Sequence, residues 1–339
     1  MRKKVVQLLI ALLIMLQLTG CTSLNNQVAY TVYPIGYIIQ RITQDTTGYR
    51  SIQTNEIVQR ATAVEDYEEI LANSDALFEV GQVEPYNTMY RSIINETVDD
   101  IQYLSSLNAI YLFKRYTPVY NVNEVTYIES PYYDSELFAN VDTNEKDMYL
   151  WLDPIAMLSM AKDVSKWYET KYPDNANMYR ENYEKLENEL VQLDAAYQKM
   201  ATTNLQQNKS IKFVSMTSSF GCWQKTYNIE VYPVILSKYG ALPTDEQLEV
   251  IKNRIRVDNV KYIAYEPNMT DDMKELFNEL EEELELTRVE LNNLSSLTEE
   301  QQSQGKDYIS IMYENLQTLE SMATSIIPEG PLQNADNLE

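Results

Sequence analysis

The chain has 339 residues, with 51 acidic and 27 basic side chains, a net charge of −24 and no histidine. The missing histidine excludes Ser-His-Asp and Cys-His catalytic sites and the HExxH zinc motif. The negative charge disfavours nucleic acid as a partner, and the absence of any Gly-x-Gly sequence excludes a Rossmann fingerprint.

The N-terminus has the order of a secretory signal, with three basic residues followed by the apolar run Val5–Leu18. That run of 14 residues is shorter than the roughly 20 residues a membrane-spanning helix needs. It ends in Leu-Thr-Gly-Cys21, which resembles the bacterial lipobox. We therefore predict a lipoprotein signal peptide over 1–20, lipidation of Cys21, and a tether over 21–27. An ordinary signal peptide with a chance cysteine is the alternative.

Strands alternate with helices in the first part of the mature chain, a pattern that indicates a parallel α/β lobe. The predicted strands are 28–33, 76–80 and 109–113, and the predicted helices begin near 37 and cover 64–73 and 86–107. Residues 116–146 are rich in Tyr, Asn and Asp, so we expect loops with short strands there.

Asp153-Pro154 begins a long helical region whose apolar stripe has three- and four-residue steps, as expected for a packed helix face. A second alternation follows, with strands at 211–215, 231–236, 260–265 and 287–291 and helices at 220–227, 248–256, 270–284 and 307–322. We predict two three-layer α/β lobes joined by a long rigid helix, with a ligand cleft between the lobes. The predicted boundaries are 28–153, 154–204 and 205–322, with a flexible tail over 323–339.

Several motifs resemble one known family over residues 28–322. The segment Asp147-Met-Tyr-Leu-Trp-Leu-Asp-Pro154 is similar to the family pattern D-P-H-x-W-L-D-P. The segments Phe213–Gly221 and Tyr262–Pro267 resemble "f-v-t-s-H-d-a-F-g" and "i-f-v-E-P". The family is that of the extracytoplasmic substrate-binding lipoproteins of zinc and manganese ABC transporters, some of which are called adhesins.

The resemblance implies four metal-ligand positions, and each holds a different residue type here. They fall at Gln59 (or its neighbour Val58), Tyr149, Thr217 and Ser296. Zinc sites use imidazole, thiolate or carboxylate donors at about 2.0–2.3 Å, for which hydroxyls and amides are weak substitutes. No cofactor is expected with certainty, and zinc or manganese remains possible as transported cargo.

Tyrosine is unusually common, with 27 residues against 6 phenylalanines. Tyr33, Tyr37, Tyr86 and Tyr149 map near strand ends that face the expected cleft. Glu84 and Glu266 are candidate carboxylates near the cleft, and the alternative for both is exposure to solvent or a structural hydrogen bond. Ordinary half-buried tyrosines are one interpretation. The other is an aromatic, hydroxyl-lined pocket for an organic cation or a chelated metal. The free cysteine, Cys222, is expected to be packed as a small apolar residue.

The sequence predicts a monomeric, lipid-anchored substrate-binding protein of a metal-type ABC importer on the outer face of a bacterial cytoplasmic membrane. Its expected partners are an ABC permease and, through the lipid, the bilayer. The alternatives are a degenerate family member acting as a surface adhesion or interaction lipoprotein, and a binder of organic or chelated cargo. An enzyme is not expected, because no spacing of the acidic residues indicates a positioned catalytic pair.

Overall fold

The computed structural model describes residues 27–81, 84–104, 111–120, 125–147 and 149–325. The predicted signal peptide, Cys21, most of the tether and most of the tail lie outside these ranges. Within the described ranges, every helix is too short or too polar to cross a bilayer.

The first lobe is built on a parallel sheet of four short strands in the order β2-β1-β3-β4. Parallel neighbours need crossover connections, and three helices supply them here. The strands are β1 Gln27–Tyr30, β2 Gly48–Ser51, β3 Leu77–Glu79 and β4 Ile101–Tyr103, and the helices are α1 Tyr33–Thr43, α2 Tyr67–Ala72 and α3 Pro85–Thr97.

The second lobe has a sheet in which four parallel strands run in the order β8-β7-β9-β10, with a short antiparallel strand at the start of β7. Helices again connect the strands. The strands are β7 Lys209–Thr217, β8 Ile229–Ile235, β9 Tyr262–Tyr265, β10 Thr287–Glu290 and β11 Thr324–Ser325; the helices are α6 Cys222–Tyr227, α7 Asp245–Val257, α8 Asp271–Glu283, α9 Glu299–Ser303 and α10 Tyr308–Ser321.

Two long helices, α4 Pro154–Lys171 and α5 Ala176–Gln206, join the lobes. With 31 residues, α5 is about 47 Å long, enough to reach along both lobes. Near its start, Asn182 donates a hydrogen bond to the carbonyl of Ile42 in the first lobe (3.0 Å). Further along, the Tyr197 hydroxyl donates to the carbonyl of Met312 in the second lobe (2.7 Å). The predicted stripe is confirmed, since Tyr179, Leu186, Leu190, Leu193 and Tyr197 are buried.

The chain segment that follows the first sheet forms a hairpin of two strands, β5 Arg115–Tyr120 and β6 Val125–Ser130. This segment packs against the second lobe. Arg115 donates to Asp258 (2.9 Å), and the Tyr133 hydroxyl donates to the carbonyl of Pro233 (2.9 Å). Much of the segment 111–147 therefore contacts the second sheet, although it precedes the long helices in the chain.

Several details differ from the sequence predictions. Gln27, predicted in the tether, begins β1, and Thr324–Ser325, predicted in the flexible tail, pairs with β7. The first strand ends at Tyr30 and α1 already begins at Tyr33, because proline is favoured in the first turn of a helix. The predicted helix 86–107 is wrong beyond Thr97, since Ile101–Tyr103 pairs with β3 as a strand. The predicted strand 109–113 begins outside the described residues, and its described part makes only one isolated bridge, from Leu112 to Lys146.

Candidate functional site

The segment that carries Tyr149 is held against the second lobe by two buried tryptophans. Tyr149 precedes a single helical turn, Leu150–Leu152. The Trp151 indole donates to the carbonyl of Asn293 (2.7 Å), and the Trp223 indole donates to the carbonyl of Leu152 (2.9 Å). These bonds hold the turn that follows Tyr149 against α6 and the loop after β10.

Three parallel strands of the second lobe end at the same sheet edge, where α/β folds commonly bind ligands. Thr217 is the last residue of β7, Glu266 follows β9, and Asn293 follows β10. The Glu266 carboxylate accepts hydrogen bonds from the Thr217 backbone N–H (2.8 Å), the Thr217 hydroxyl (2.6 Å) and the Asn293 amide (2.9 Å). One buried carboxylate is thus surrounded by uncharged donors.

The first lobe reaches this edge through the loop that contains Gln59. The backbone N–H of Ile57 donates to the carbonyl of Asn268 (3.2 Å), and Arg60 forms an ion pair with Asp272 (2.8 Å). Against the larger effect of burial, contacts with Ser219 and Gln59 lower the pKa of the Tyr149 phenol, which places both side chains beside it, and the Ser219 hydroxyl pairs with that of Thr217. We call this group the polar cluster; it comprises Gln59, Tyr149, Thr217, Ser219, Glu266 and Asn293.

Burial dominates the electrostatics of the polar cluster. It raises the pKa of Glu266, an effect opposed by the hydrogen bonds from Thr217 and Asn293. Burial also raises the pKa of Tyr149 well above its ordinary value, so the side chain is a neutral phenol near pH 7. The side-chain oxygen of Gln59 is buried and has no hydrogen-bond partner among the described residues.

The polar cluster does not fit a bare divalent transition-metal ion. The described part of the chain contains no group of three or more Cys, Asp or Glu side chains arranged to hold a metal. Glu266 is the single carboxylate of the cluster, and its oxygens already accept three hydrogen bonds. The other donors are hydroxyls and amides, which are not the ligands that zinc sites use.

A second buried carboxylate, Asp147, lies two residues before Tyr149 and accepts a hydrogen bond from the backbone N–H of Tyr149 (3.1 Å). Burial raises the pKa of Asp147 to about 7. Its other oxygen has no partner in the described ranges. A side chain at Gly221 would collide with this carboxylate, so the glycine permits the close approach of the Asp147 segment to α6.

The other predicted site residues lie in different surroundings. Ser296 accepts a hydrogen bond from the Asn268 amide (2.6 Å) rather than joining the polar cluster. Glu84 accepts hydrogen bonds from the Thr31 hydroxyl (2.5 Å) and the Val80 N–H (3.1 Å) at the end of the first sheet. Nearby, the Tyr86 hydroxyl donates to the side-chain oxygen of Gln53 (3.3 Å), and both residues are buried. As predicted, Cys222 is a buried free thiol.

Tyr33 and Tyr37 line a cavity of about 600 Å³ between the lobes. The first lobe contributes α1 and the residues around β2, and the second contributes the stretches 295–297 and 302–307. We call it the tyrosine cavity after its four tyrosines: Tyr30, Tyr33, Tyr37 and Tyr49. It also contains Ser296, one of the four ligand positions implied by the family pattern.

Sequence reasoning missed Ser219 and Asn293. Ser219 lies in the run Thr-Ser-Ser within the family-like segment, and Asn293 lies in the loop after a predicted strand. Their positions at the carboxyl ends of neighbouring strands were the available signal.

Comparison with known proteins matches residues 28–322 to a family model described as ZnuA, zinc-uptake complex component A, periplasmic. The zinc-binding lipoprotein AdcA of Streptococcus pneumoniae (strain ATCC BAA-255 / R6) is 26% identical over 196 residues, covering 58% of this chain and 37% of AdcA. The high-affinity zinc uptake system protein ZnuA of Bacillus subtilis (strain 168) is 26% identical over 173 residues, covering 51% of this chain and 52% of that protein. The match therefore spans about a third to a half of the length of these curated relatives.

Solved structures share the fold at lower identity. The periplasmic zinc binding protein TroA from Treponema pallidum superposes with a TM-score of 0.66 at 16% identity, covering 88% of this chain and 99% of that one. The laminin binding protein Lmb of Streptococcus agalactiae, described as having adhesin and metal transporting activity, gives a TM-score of 0.67 at 15% identity, with 88% and 99% covered.

These matches confirm the resemblance and the two-lobed α/β fold with its long connecting helix. The family description is of an uptake component and not of an enzyme, in agreement with the prediction. From the match over 28–322, the chain belongs to the family of zinc-uptake complex component A proteins.

Proposed function

We propose that this protein is the extracytoplasmic substrate-binding component of a metal-type ABC importer. The observation that carries the proposal is the family match across both lobes, over residues 28–322. The position of the polar cluster supports it, because residues of both lobes meet there at the carboxyl ends of the second sheet. An ABC permease is the proposed partner, and the protein acts as a monomer.

We further propose that a lipid on Cys21 anchors the protein to the outer face of the membrane, which the Leu-Thr-Gly-Cys sequence supports. The lobes are taken as residues 28–153 and 205–322, joined by 154–204, with much of the segment 111–147 packing on the second lobe. Replacing Cys21 with serine should release the protein from membranes. Retention of the serine variant in the membrane fraction would contradict the anchor.

The two curated relatives named above are a zinc-binding and a zinc-uptake protein, which makes zinc the first cargo to test, with manganese as the second. The donor set of the polar cluster argues for weak binding of either bare ion. Calorimetry of the metal-stripped full-length protein should therefore show affinities weaker than about micromolar for Zn²⁺ and Mn²⁺. One-to-one binding at micromolar or tighter affinity would refute this view of the cluster.

The importer role has a separate test, because it does not depend on which cargo binds. Cross-linking in intact cells, followed by mass spectrometry, should recover the permease of an ABC importer together with this protein. Recovery of the protein without any permease subunit would count against the importer role. Loss of surface adhesion on deletion, with uptake unchanged, would favour the interaction role instead.

A further inference from the structure

We propose that the tyrosine cavity binds an uncharged, hydroxyl-rich organic molecule, of the class of short carbohydrates. This goes beyond the proposed function, because it assigns a ligand class to a site separate from the polar cluster. It stands on the cavity itself and does not require that the protein deliver cargo to an importer.

The size and position of the cavity suit such a ligand. Its volume of about 600 Å³ lies within the range of roughly 300–1,000 Å³ typical of small-molecule sites. Both lobes line it, and they are tied together beside it by a hydrogen bond from the Asn55 amide to the carbonyl of Leu297 (2.6 Å). A molecule in the cavity would therefore contact both lobes at once.

The charged groups of the lining already have partners in the protein. Lys306 and Asp307 are the charged residues among the described ones that line the cavity. Lys306 forms an ion pair with Glu314 (2.9 Å), and Asp307 accepts a hydrogen bond from the Ser310 N–H to cap α10 (2.8 Å). The Lys306 charge is paired outside the cavity, whereas the Asp307 carboxylate caps α10 and also adds to burial in raising the pKa of the lining residues Tyr33 and Tyr37. Ionic recognition of an anion or a cation would therefore compete with contacts that the protein already makes.

The remaining polar groups are hydroxyls and amides. The exposed Gln40 amide offers both donors and an acceptor, and the Gln302 amide donates to the carbonyl of Leu297 (3.2 Å) but keeps its oxygen as an acceptor. The Ser51 and Thr54 hydroxyls already donate within the protein and can offer a ligand only their remaining acceptor capacity. Such groups match the alternating donors and acceptors of a polyol. The lining is mainly uncharged, although the chain as a whole has a net charge of −24.

The tyrosine rings supply the apolar surface that the C–H faces of a sugar ring require. The Tyr30 and Tyr49 rings are 6.2 Å apart and inclined at 43°, and the Tyr33 and Tyr37 rings are 6.3 Å apart at the same inclination. Neither pair is stacked face to face. Tyr37 is buried against Tyr308 and Arg41, so the accessible ring surface is that of the partly exposed Tyr30, Tyr33 and Tyr49. The Tyr30 ring lies directly against Gly36, where a side chain would collide with it.

The structure favours this ligand class over the organic cation that the tyrosine content also suggested. An organic cation would meet two positive charges that are already at the cavity, those of Lys306 in the lining and Arg41 beside Tyr37. The Arg41 guanidinium already lies over the Tyr37 ring, 5.5 Å from its centroid. Asp307, the one carboxylate in the lining, is engaged as a helix cap.

The test is saturation-transfer NMR on the full-length protein with maltose, cellobiose, maltotriose and N,N′-diacetylchitobiose. Choline, glucosamine and glucuronate serve as charged comparators. We expect at least one uncharged saccharide to bind and the comparators to bind more weakly. Binding of none of the four saccharides, or equal binding of a charged comparator, would overturn the proposal.

Two variants locate the binding site. Tyr49→Ala removes a lining ring and should weaken the saccharide affinity about tenfold, as expected for loss of an aromatic anchor. Gln40→Ala alters an exposed side chain and leaves the core intact, so it tests the cavity even if the first variant is unstable. Tyr313→Ala, at a tyrosine outside the cavity that is 41% exposed, is the control. Unchanged affinity in both cavity variants would refute the assignment, whatever the outcome of the importer tests.

Discussion

Glu84 is predicted to make the protein less stable as pH rises. Its side chain is 1% exposed, and one carboxylate oxygen has no hydrogen-bond partner within the described ranges. Burial raises the pKa of Glu84 to about 7, from an ordinary 4.5. Because the pKa of Glu84 is higher in the folded state than in the unfolded state, the folded protein holds the proton more tightly. The free energy of unfolding therefore falls as pH rises from 4.5 through about 7.

The size of the effect follows from the shift. A difference of about 2.5 pKa units corresponds to about 3 kcal/mol of unfolding free energy once both states are ionised. Most of this, about 2 kcal/mol, falls between about pH 5 and about pH 8. Glu84→Gln keeps an acceptor for the Thr31 hydroxyl and the Val80 N–H but cannot ionise. The variant should therefore lose this part of the pH dependence and be more stable than the parent at about pH 8.

Urea unfolding at several pH values between these limits measures the effect. Glu282→Gln removes the same charge from an exposed position and reports the general consequence of lowering the net negative charge. If Glu84→Gln changes the slope of stability against pH no more than Glu282→Gln does, the carboxyl is not held protonated by burial, and the reasoning fails.

Three further predictions use the same kinds of measurement. Thr244→Ala removes the capping box at the start of α7 and should cost about 1 kcal/mol in urea unfolding; an unchanged midpoint would contradict it. Arg115→Met removes the buried ion pair with Asp258 and should lower the free energy of unfolding by about 3 kcal/mol. A smaller loss, of the size expected for an exposed ion pair, would contradict this prediction. Tyr149→His combined with Thr217→His places two imidazoles beside the buried Glu266 carboxylate and should tighten Zn²⁺ binding in calorimetry. Equal Zn²⁺ affinity in the parent protein would show that the type of donor does not limit the affinity of this site.

Secondary structure was predictable where local signals agree with each other. The stripe of α5 depends on side chains three or four residues apart, and the structure confirms it. Prediction failed at Ile101–Tyr103, where three residues form a strand because β3 offers a free parallel edge. Nothing local in that tripeptide distinguishes a short strand from the end of a helix.

The candidate site divides in the same way. The family-like motifs identified Tyr149, Thr217 and Glu266 as separate candidates, because each lies in its own recognisable segment. They did not show which of these residues are neighbours in space. That the first two converge with Ser219, Asn293 and Glu266 depends on strand order, which brings distant carboxyl ends to one edge. The sequence pattern also grouped Glu84 and Tyr86 with the cleft, whereas the structure surrounds them with first-lobe residues.

By itself, the sequence determined the donor chemistry of this protein. A chain without histidine cannot build the imidazole sites of its family, whatever its fold, because side-chain identity is a local property. The tertiary structure alone decided which uncharged groups meet at the buried carboxylate. It brings Thr217 and Asn293 to the carboxylate of Glu266, and it places four tyrosines around the cavity between the lobes. Those contacts join residues far apart in the chain, so only packing of the lobes and their connecting helix specifies them.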